Sequence, residues 1–224
     1  MLHNYYEVLK KNHIFYDISS DDMKALSPCF KPIFSSYLKG ASVFSDGDVY
    51  VNLGIIVDGI VNIIKDDTDG NRVILEQAEP GSVLDESLNE KKNYKVNVSA
   101  VASTDCDILA IPFNKLFTVC KQNCPFHVKL IGNIIRMLAS NHNALTMKME
   151  YLSKKSVRHR LMSFLNFQAE KHKSSEFHIN FDRKELAEFL FVDRSALSRE
   201  LGRMRRAKII EFSKNRFKIL KSGI

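Results

Sequence analysis

The sequence predicts an α+β fold in three parts: an N-terminal β-roll (jelly-roll-like), one long helix, and a compact helical segment closed by a hairpin. Three observations predict it. Short apolar runs broken by Asp-Gly and Pro-Gly turns fill residues 31–113. An alternating three–four apolar period then runs from 128 to 152, and positive charge concentrates after residue 153. At 224 residues two domains are the better expectation than one. We place the roll at 1–124, the long helix with a hinge at 125–153, and the last segment at 154–224.

In the roll, Val43-Phe44 precede the turn Ser45-Asp46-Gly47-Asp48. Gly54-Ile55-Ile56-Val57 leads into Asp58-Gly59, and Ile60-Val61-Asn62-Ile63-Ile64 resumes. Asp67-Thr68-Asp69-Gly70-Asn71 is a second turn before Arg72-Val73-Ile74-Leu75. Val96, Val98, Ala100 and Ala102 alternate with other positions ahead of Asp107–Ile111. Runs of this length between such turns are the mark of a small all-β roll or barrel. Asp22–Leu26 predicts a short helix ahead of it. Cys29, Cys106, Cys120 and Cys124 are too scattered for a disulfide framework. Cys120 and Cys124 would share a helix face, but two soft donors fall short of the four a metal site normally takes. Free thiols are expected, and no metal.

In the long helix, Val128, Ile131, Ile135, Leu138, His142, Leu145, Met149 and Leu152 follow one another at steps of 3, 4, 3, 4, 3, 4 and 3. Such a spacing makes a narrow a/d seam. Ile131, Ile135, Leu138, His142, Leu145, Met149 and Leu152 are therefore the candidate homodimer seam, with packing of the stripe on the chain's own roll as the alternative. His142 reads as a packed or register-setting residue, with sensing as its alternative role.

Charge separates the last segment from the rest. Residues 1–153 hold 15 Lys+Arg against 18 Asp+Glu, a net of −3. Residues 154–224 hold 18 against 8, a net of +10. A basic segment of this kind points to a polyanion, most often nucleic acid. No apolar run reaches the roughly 18 residues of a membrane span. The start lacks the basic and apolar regions of a signal peptide. A cytoplasmic protein without a membrane partner is expected.

Ser153 or Ser156 can cap a helix whose apolar face holds Val157, Leu161, Phe164 and Leu165. Lys171–Ser175 is a polar break. Asp182 can then cap a helix with Leu186, Ala187 and Leu190 inside, the small Ala187 suiting a close helix crossing. Val192 fills the turn, and Asp193 can cap a second helix with Leu197 and Leu201 inside. Arg194, Ser195, Ser198 and Arg199 face outward near its start. These are the positions that reach base edges when a recognition helix enters the major groove. Arginine can bridge guanine O6 and N7, and serine can donate to or accept from several bases. Arg203 and Arg205 extend the basic run with Arg206 and Lys208. Ile209–Phe212 and Arg216–Ile219 flank Ser213-Lys214-Asn215 as a hairpin wing that can lie along phosphates. The segment is read as a winged helix-turn-helix, with double-stranded DNA as its partner.

The order of parts resembles the CRP/FNR family of bacterial transcription regulators. In the first half the resemblance rests on Gly40, Gly47-Asp48, Gly54–Val61, Asp69-Gly70 and Pro80-Gly81, similar to the cyclic-nucleotide-binding roll. In the second it rests on Glu185-Leu186-Ala187 and Arg194–Leu201. It implies a homodimer on an inverted repeat, allosteric control by a small effector, and RNA polymerase as a further candidate partner. Relatives that bind cAMP use an Arg-Ser pair and a Gly-Glu pair. Here Asp85-Glu86 stands at the second, and ungapped alignment puts Val96-Asn97 at the first. Lys95 cannot copy an arginine fork. An effector other than cAMP is expected, with Glu86, Val96, Asn97, Leu145 and Thr146 as its pocket. An iron–sulfur centre is not expected, because no cysteine precedes Cys29. Haem stays open without an evident ligand. Ser195 stands where many relatives carry glutamate, and Phe191 where they carry glycine. Phe191 predicts either a turn of ordinary negative φ or local strain. No nucleophile, metal cage or phosphate loop assembles around Asp85, Glu86 or His127, so no enzyme is expected. Two alternatives stand beside an effector-controlled regulator. One is a constitutive regulator whose roll is a ligand-free scaffold; the other is a sensor acting through protein partners.

Overall fold

The computed structural model describes residues 5–10, 12–66, 70–84, 95–117 and 125–221. Asp67–Asp69 of the second turn, Asp85, Glu86, Cys120 and Cys124 lie outside these. The chain falls into two compact units, Met1–Asn141 and His142–Ile224.

The first unit opens with α1 (Tyr6–Leu9), a 3-10 turn (His13–Phe15) and α2 (Ser20–Phe30). The predicted short helix is thus longer than Asp22–Leu26. Its start is set by a capping box, Ser19 Oγ accepting from the Asp22 amide and the Asp22 carboxylate from the Ser19 amide, each at 3.1 Å. Among the described residues eight strands follow: β1 (Ile33–Tyr37), β2 (Ser42–Phe44), β3 (Asn52–Asp58), β4 (Val61–Asp66), β5 (Arg72–Ala78), β6 (Val83–Leu84), β7 (Ser99–Ala102) and β8 (Cys106–Pro112). They form two antiparallel four-stranded sheets, β1-β8-β3-β6 and β2-β7-β4-β5. The first half is therefore the jelly-roll-like roll that the sequence predicts.

Two clusters explain the apolar runs. Ile56, Leu84, Cys106 and Ile108 from one sheet meet Phe44, Val61, Ile63, Ala78, Ala100 and Ala102 from the other. On the outer face of the first sheet, Leu53, Ile55, Val57, Leu109 and Ile111 pack with Leu9, Phe15, Met23 and Phe30. Strands β3 and β8 are covered on both faces, so they read as continuous apolar stretches rather than an alternation. Asp58-Gly59 is the corner that carries the chain from one sheet to the other. Gly59 has φ +80°, and a Cβ there would lie 2.2 Å from the Asp105 carbonyl oxygen, so neither backbone nor space admits a side chain. Val96 starts no strand. Its amide donates to Asp48 O and its carbonyl accepts from the Gly47 amide, which ties it to a turn before β7 begins.

Helix α3 (Phe113–Phe117) follows the roll, and α4 (Pro125–Leu152) runs 28 residues. Leu130, Ile134 and Met137 of α4 join the cluster on the outer sheet face. Asn133 is buried beside them, donating to Ile14 O at 3.0 Å and Tyr16 O at 2.8 Å. The division between the units falls inside α4, at Asn141/His142.

The second unit continues with α5 (Val157–His172), β9 (Glu176–His178), α6 (Arg183–Leu190), α7 (Arg194–Arg206), β10 (Ile210–Ser213) and β11 (Arg216–Ile219). Ser156 caps α5 by accepting from the His159 amide at 3.2 Å. Tyr151, Phe164, Phe181 and Phe189 form an aromatic core, with Phe181–Phe189 centroids 4.7 Å apart and Phe164–Phe189 5.6 Å. Burial alone pushes the Tyr151 phenol well above its ordinary pKa. The wing is a three-stranded antiparallel sheet, β10-β11-β9. Phe217 faces Phe212 on one side and Phe177 on the other. The third strand, β9, was not evident in the sequence: three residues carry too little pattern, and pairing with β11 makes the strand.

Candidate nucleic-acid interface

Two capped helices build the site. Asp182 Oδ1 accepts from the amides of Lys184 (2.7 Å) and Glu185 (2.8 Å), and the Glu185 carboxylate accepts from the Asp182 amide at 2.8 Å. This box opens α6. Asp193 Oδ1 accepts from the amides of Ser195 (2.8 Å) and Ala196 (3.0 Å), which opens α7. Caps of this kind satisfy amides that have no partner within the helix. The Ser195 hydroxyl, then the Ala196 amide, hold the Asp193 carboxyl below the usual carboxylate range.

Leu197, Leu201 and Met204 turn α7 inward, with Leu186, Ala187 and Leu190 of α6 also buried. Arg194, Ser195, Ser198, Arg199, Arg203 and Arg205 are all exposed. They divide by what they touch. Ser195 Oγ donates to Asp193 Oδ1, and Ser198 Oγ donates to Arg194 O at 2.9 Å, so both serines keep only acceptor capacity for a ligand. Arg203 lies 3.3 Å from Glu200, whose buried carboxylate also accepts from Arg158 Nε at 2.7 Å. Arg205 lies over the Phe212 ring, 5.1 Å from its centroid, on the wing side. Arg206 is exposed seven residues after Arg199, hence on the same helix face.

The sequence gives no separate role to Arg183, at the first position of α6. It donates through Nη2 to Lys214 O at 2.6 Å, and its guanidinium lies 5.0 and 5.2 Å from the Phe212 and Phe217 ring centroids. Its buried Nη1 has no hydrogen-bond partner, and burial lowers its pKa. It ties the wing tip to the first helix. Asp182, Arg183, Lys184, Arg194, Lys214 and Asn215 line an open cleft of about 500 Å³, four of them basic.

The turn between α6 and α7 decides between the two alternatives for Phe191. Phe191 has φ +54° and ψ +51°, in the left-handed region, so the turn of ordinary negative φ is excluded. Its amide and that of Val192 both donate to Ala187 O, closing α6 as a glycine would.

Of the other candidate residues, Val96 and Asn97 belong to the first unit. Val96 is 1% exposed within the apolar roll cluster, whereas Asn97 is exposed and its carbonyl accepts from Lys65 Nζ at 2.8 Å. Leu145 and Thr146 belong to the second unit, and Thr146 Oγ1 donates to His142 O at 3.0 Å. Val128, Ile135, Leu138, Leu145 and Met149 of α4 are between 43% and 76% exposed. His142 is exposed, and Ile131 and Leu152 are half-buried. The stripe is thus distinct from the Leu130–Ile134–Met137 face that packs on the roll. Among the described residues no group of three or more His, Cys, Asp or Glu could hold a metal, and no helix is long and apolar enough to cross a membrane.

A cyclic-nucleotide-type roll followed by two capped helices and a basic wing defines a helix-turn-helix transcription regulator. Comparison with known proteins agrees. The model for the cyclic nucleotide-binding domain matches residues 34–123, and that for the Crp-like helix-turn-helix domain matches residues 159–222. The chain belongs to the CRP/FNR family. In fold it is similar to FixK2 from Bradyrhizobium japonicum, at 18% identity over 85% of this chain and 93% of that one, TM-score 0.68. It is similar also to the c-di-GMP responsive global regulator CLP of Xanthomonas campestris, at 18% identity over 88% and 98%, TM-score 0.72. A CooA mutant from Carboxydothermus hydrogenoformans matches at 16% identity over 87% and 86%, TM-score 0.71. No match was found among curated proteins.

Proposed function

We propose that the protein reads an inverted DNA repeat as a homodimer paired along α4, and that a small effector other than cAMP, held in the roll, controls it. The observation that carries the reading is α7: capped at Asp193, anchored by buried Leu197 and Leu201, and presenting Arg194 and Arg199 outward. Arg199 is assigned to a guanine, bridging O6 and N7. Ser195 and Ser198 act as acceptors because their hydroxyl protons are already engaged. Arg203, Arg205, Arg206, Lys184 and Lys214 are assigned to phosphates, which supply affinity and its salt dependence.

Self-pairing is supported by the exposed stripe: Val128, Ile135 and Leu138 stay uncovered in the first unit, and Leu145 and Met149 are exposed in the second. Ile131, His142 and Leu152 complete that seam. Two-fold symmetry then sets half-sites about one helical turn apart. The effector must bind one arrangement of the dimer better than the other to shift it. Buried Val96, at the place of an anion-binding arginine, argues against a cyclic nucleotide phosphate. The same observation favours a second reading, a constitutive regulator whose roll is a ligand-free scaffold. Both readings place the protein in the cytoplasm, with RNA polymerase as a further partner.

Selection of bound duplexes from a random pool tests the function. Enrichment of an inverted repeat is the expected outcome. Enrichment of nothing, by the full chain and by residues 154–224 alike, would overturn it. A ligand screen by thermal shift separates the two readings, with no stabilisation by cAMP expected under either.

A further inference from the structure

We propose that Arg160 of α5 is the positioning residue that holds the turn between α6 and α7 and so aims the recognition helix. The proposal rests on the DNA-reading role of α7. A residue with a Cβ resists the left-handed conformation that Phe191 adopts at φ +54°, whereas glycine takes it freely. The last carbonyls of α6 also lack partners within their helix. Arg160 supplies what the absent glycine does not. Its Nη1 donates to Phe191 O at 3.0 Å and reaches Leu190 O at 3.5 Å. Its Nε donates to Lys154 O at 2.8 Å, in the link between α4 and α5. One planar fork therefore joins the helix-turn-helix turn to the segment that precedes α5.

Lys148 adds to the same turn from α4. Its Nζ lies 4.1 Å from the Phe189 ring centroid and 6.0 Å from that of Phe191. A cation over an aromatic face is attracted by the ring quadrupole, so the aromatic side chain at 191 is itself held. Without Arg160, Phe191 relaxes towards negative φ. The direction of α7 then changes, and Arg194 and Arg199 move with it, while Leu161, Leu186 and Leu197 keep the unit folded. Affinity for a matched sequence depends on that direction. Attraction to phosphates of any sequence depends on it much less.

The test compares Arg160→Ala, Arg160→Lys, Phe191→Gly and the double variant Arg160→Ala/Phe191→Gly in the full chain. The probes are the duplex selected by the unsubstituted protein and a scrambled duplex of the same composition, with thermal melting of each variant alongside. Arg160→Ala is expected to bind the selected duplex about tenfold more weakly, while the scrambled duplex changes by less than about threefold. Arg160→Lys is expected to fall as well, because a point charge cannot span two carbonyls as the fork does. Phe191→Gly is expected to bind like the unsubstituted chain, and the double variant to recover most of the lost preference. Equal losses on both duplexes, or no recovery with glycine, would overturn the proposal. If Arg160→Ala does not fold, Arg160→Lys with and without Phe191→Gly decides in the same way. If the unsubstituted protein selects no duplex, the DNA reading itself fails and the proposal falls with it. If it selects one and Arg160→Ala matches it, the proposal alone fails.

Discussion

The roll and the helix-turn-helix differ in what holds their functional residues in place. In the second unit, each helix of the helix-turn-helix is started and faced by residues close by in the chain: Asp182 and Asp193 cap their own helices, and Leu197 and Leu201 set the face that Arg199 presents. In the first unit, position depends on long-range pairing. Gly59 is fixed by Asp105 and Cys106, and Val96 by Asp48. A local device can be recognised from spacing alone, whereas a long-range one has to be seen folded. The charges differ too, −3 before residue 154 and +10 from there on. Change at the seam on α4 is expected to weaken DNA binding more than change within the roll.

The largest effect is expected at that seam. Ile135→Glu with Leu138→Glu places four like charges in the proposed dimer and leaves the roll-facing Leu130, Ile134 and Met137 untouched. A monomer by sedimentation is expected, with affinity for the inverted repeat lower by about 10²–10⁴, the loss that follows when two linked binding events become separate. A persistent dimer would mean that pairing uses another face. Next in size is Gly59→Ala. Positive φ and a Cβ within 2.2 Å of a carbonyl oxygen predict destabilisation of the roll by about 1–3 kcal/mol or more. Melting of the roll should fall, and an unchanged melting curve would contradict the close approach at Gly59.

Smaller effects follow from titration. The Asp193 carboxyl ionises below the ordinary carboxylate value of about 3.9. With its folded pKa depressed, its contribution to stability is fully present above the unfolded value and is lost as pH falls through the folded one. The start of α7 is therefore expected to be insensitive to Asp193 from neutral pH down to about 4. Asp193→Asn should flatten only the more acidic part of an acid-unfolding curve; a change near neutrality would contradict the cap. Smallest is the response of Cys106. Burial first, then the nearby carboxylates Asp107, Asp105 and Asp58, keep its thiol protonated above the usual range. Site-mapped alkylation of the folded protein should leave it unlabelled, and labelling without unfolding would contradict its burial.

Much of this fold is legible in the sequence for physical reasons. Asp-Gly corners, the cap residues and the three–four period of α4 each act through neighbours in the chain. The outward placement of Arg194 and Arg199 follows from the buried positions of Leu197 and Leu201. What was not legible depends on partners far along the chain. Strand β9 exists because His178 and Glu176 pair with Arg216 and Lys218. The left-handed Phe191 became intelligible only when Arg160 and Lys148 were found against its turn. The second face of α4, Leu130–Ile134–Met137, lay beneath the stronger seam pattern and is revealed by its contacts with the roll.

In the proposed function, α7 reads bases through Arg199. The most direct measurement repeats the random-duplex selection with Arg199→Glu in the full chain. The enriched inverted repeat is expected to disappear or to change at the guanine assigned to Arg199, while melting of the protein is unaltered. Recovery of the same site with the same preference at every position would contradict it, and the helix that reads the DNA would have to be sought elsewhere in the second unit.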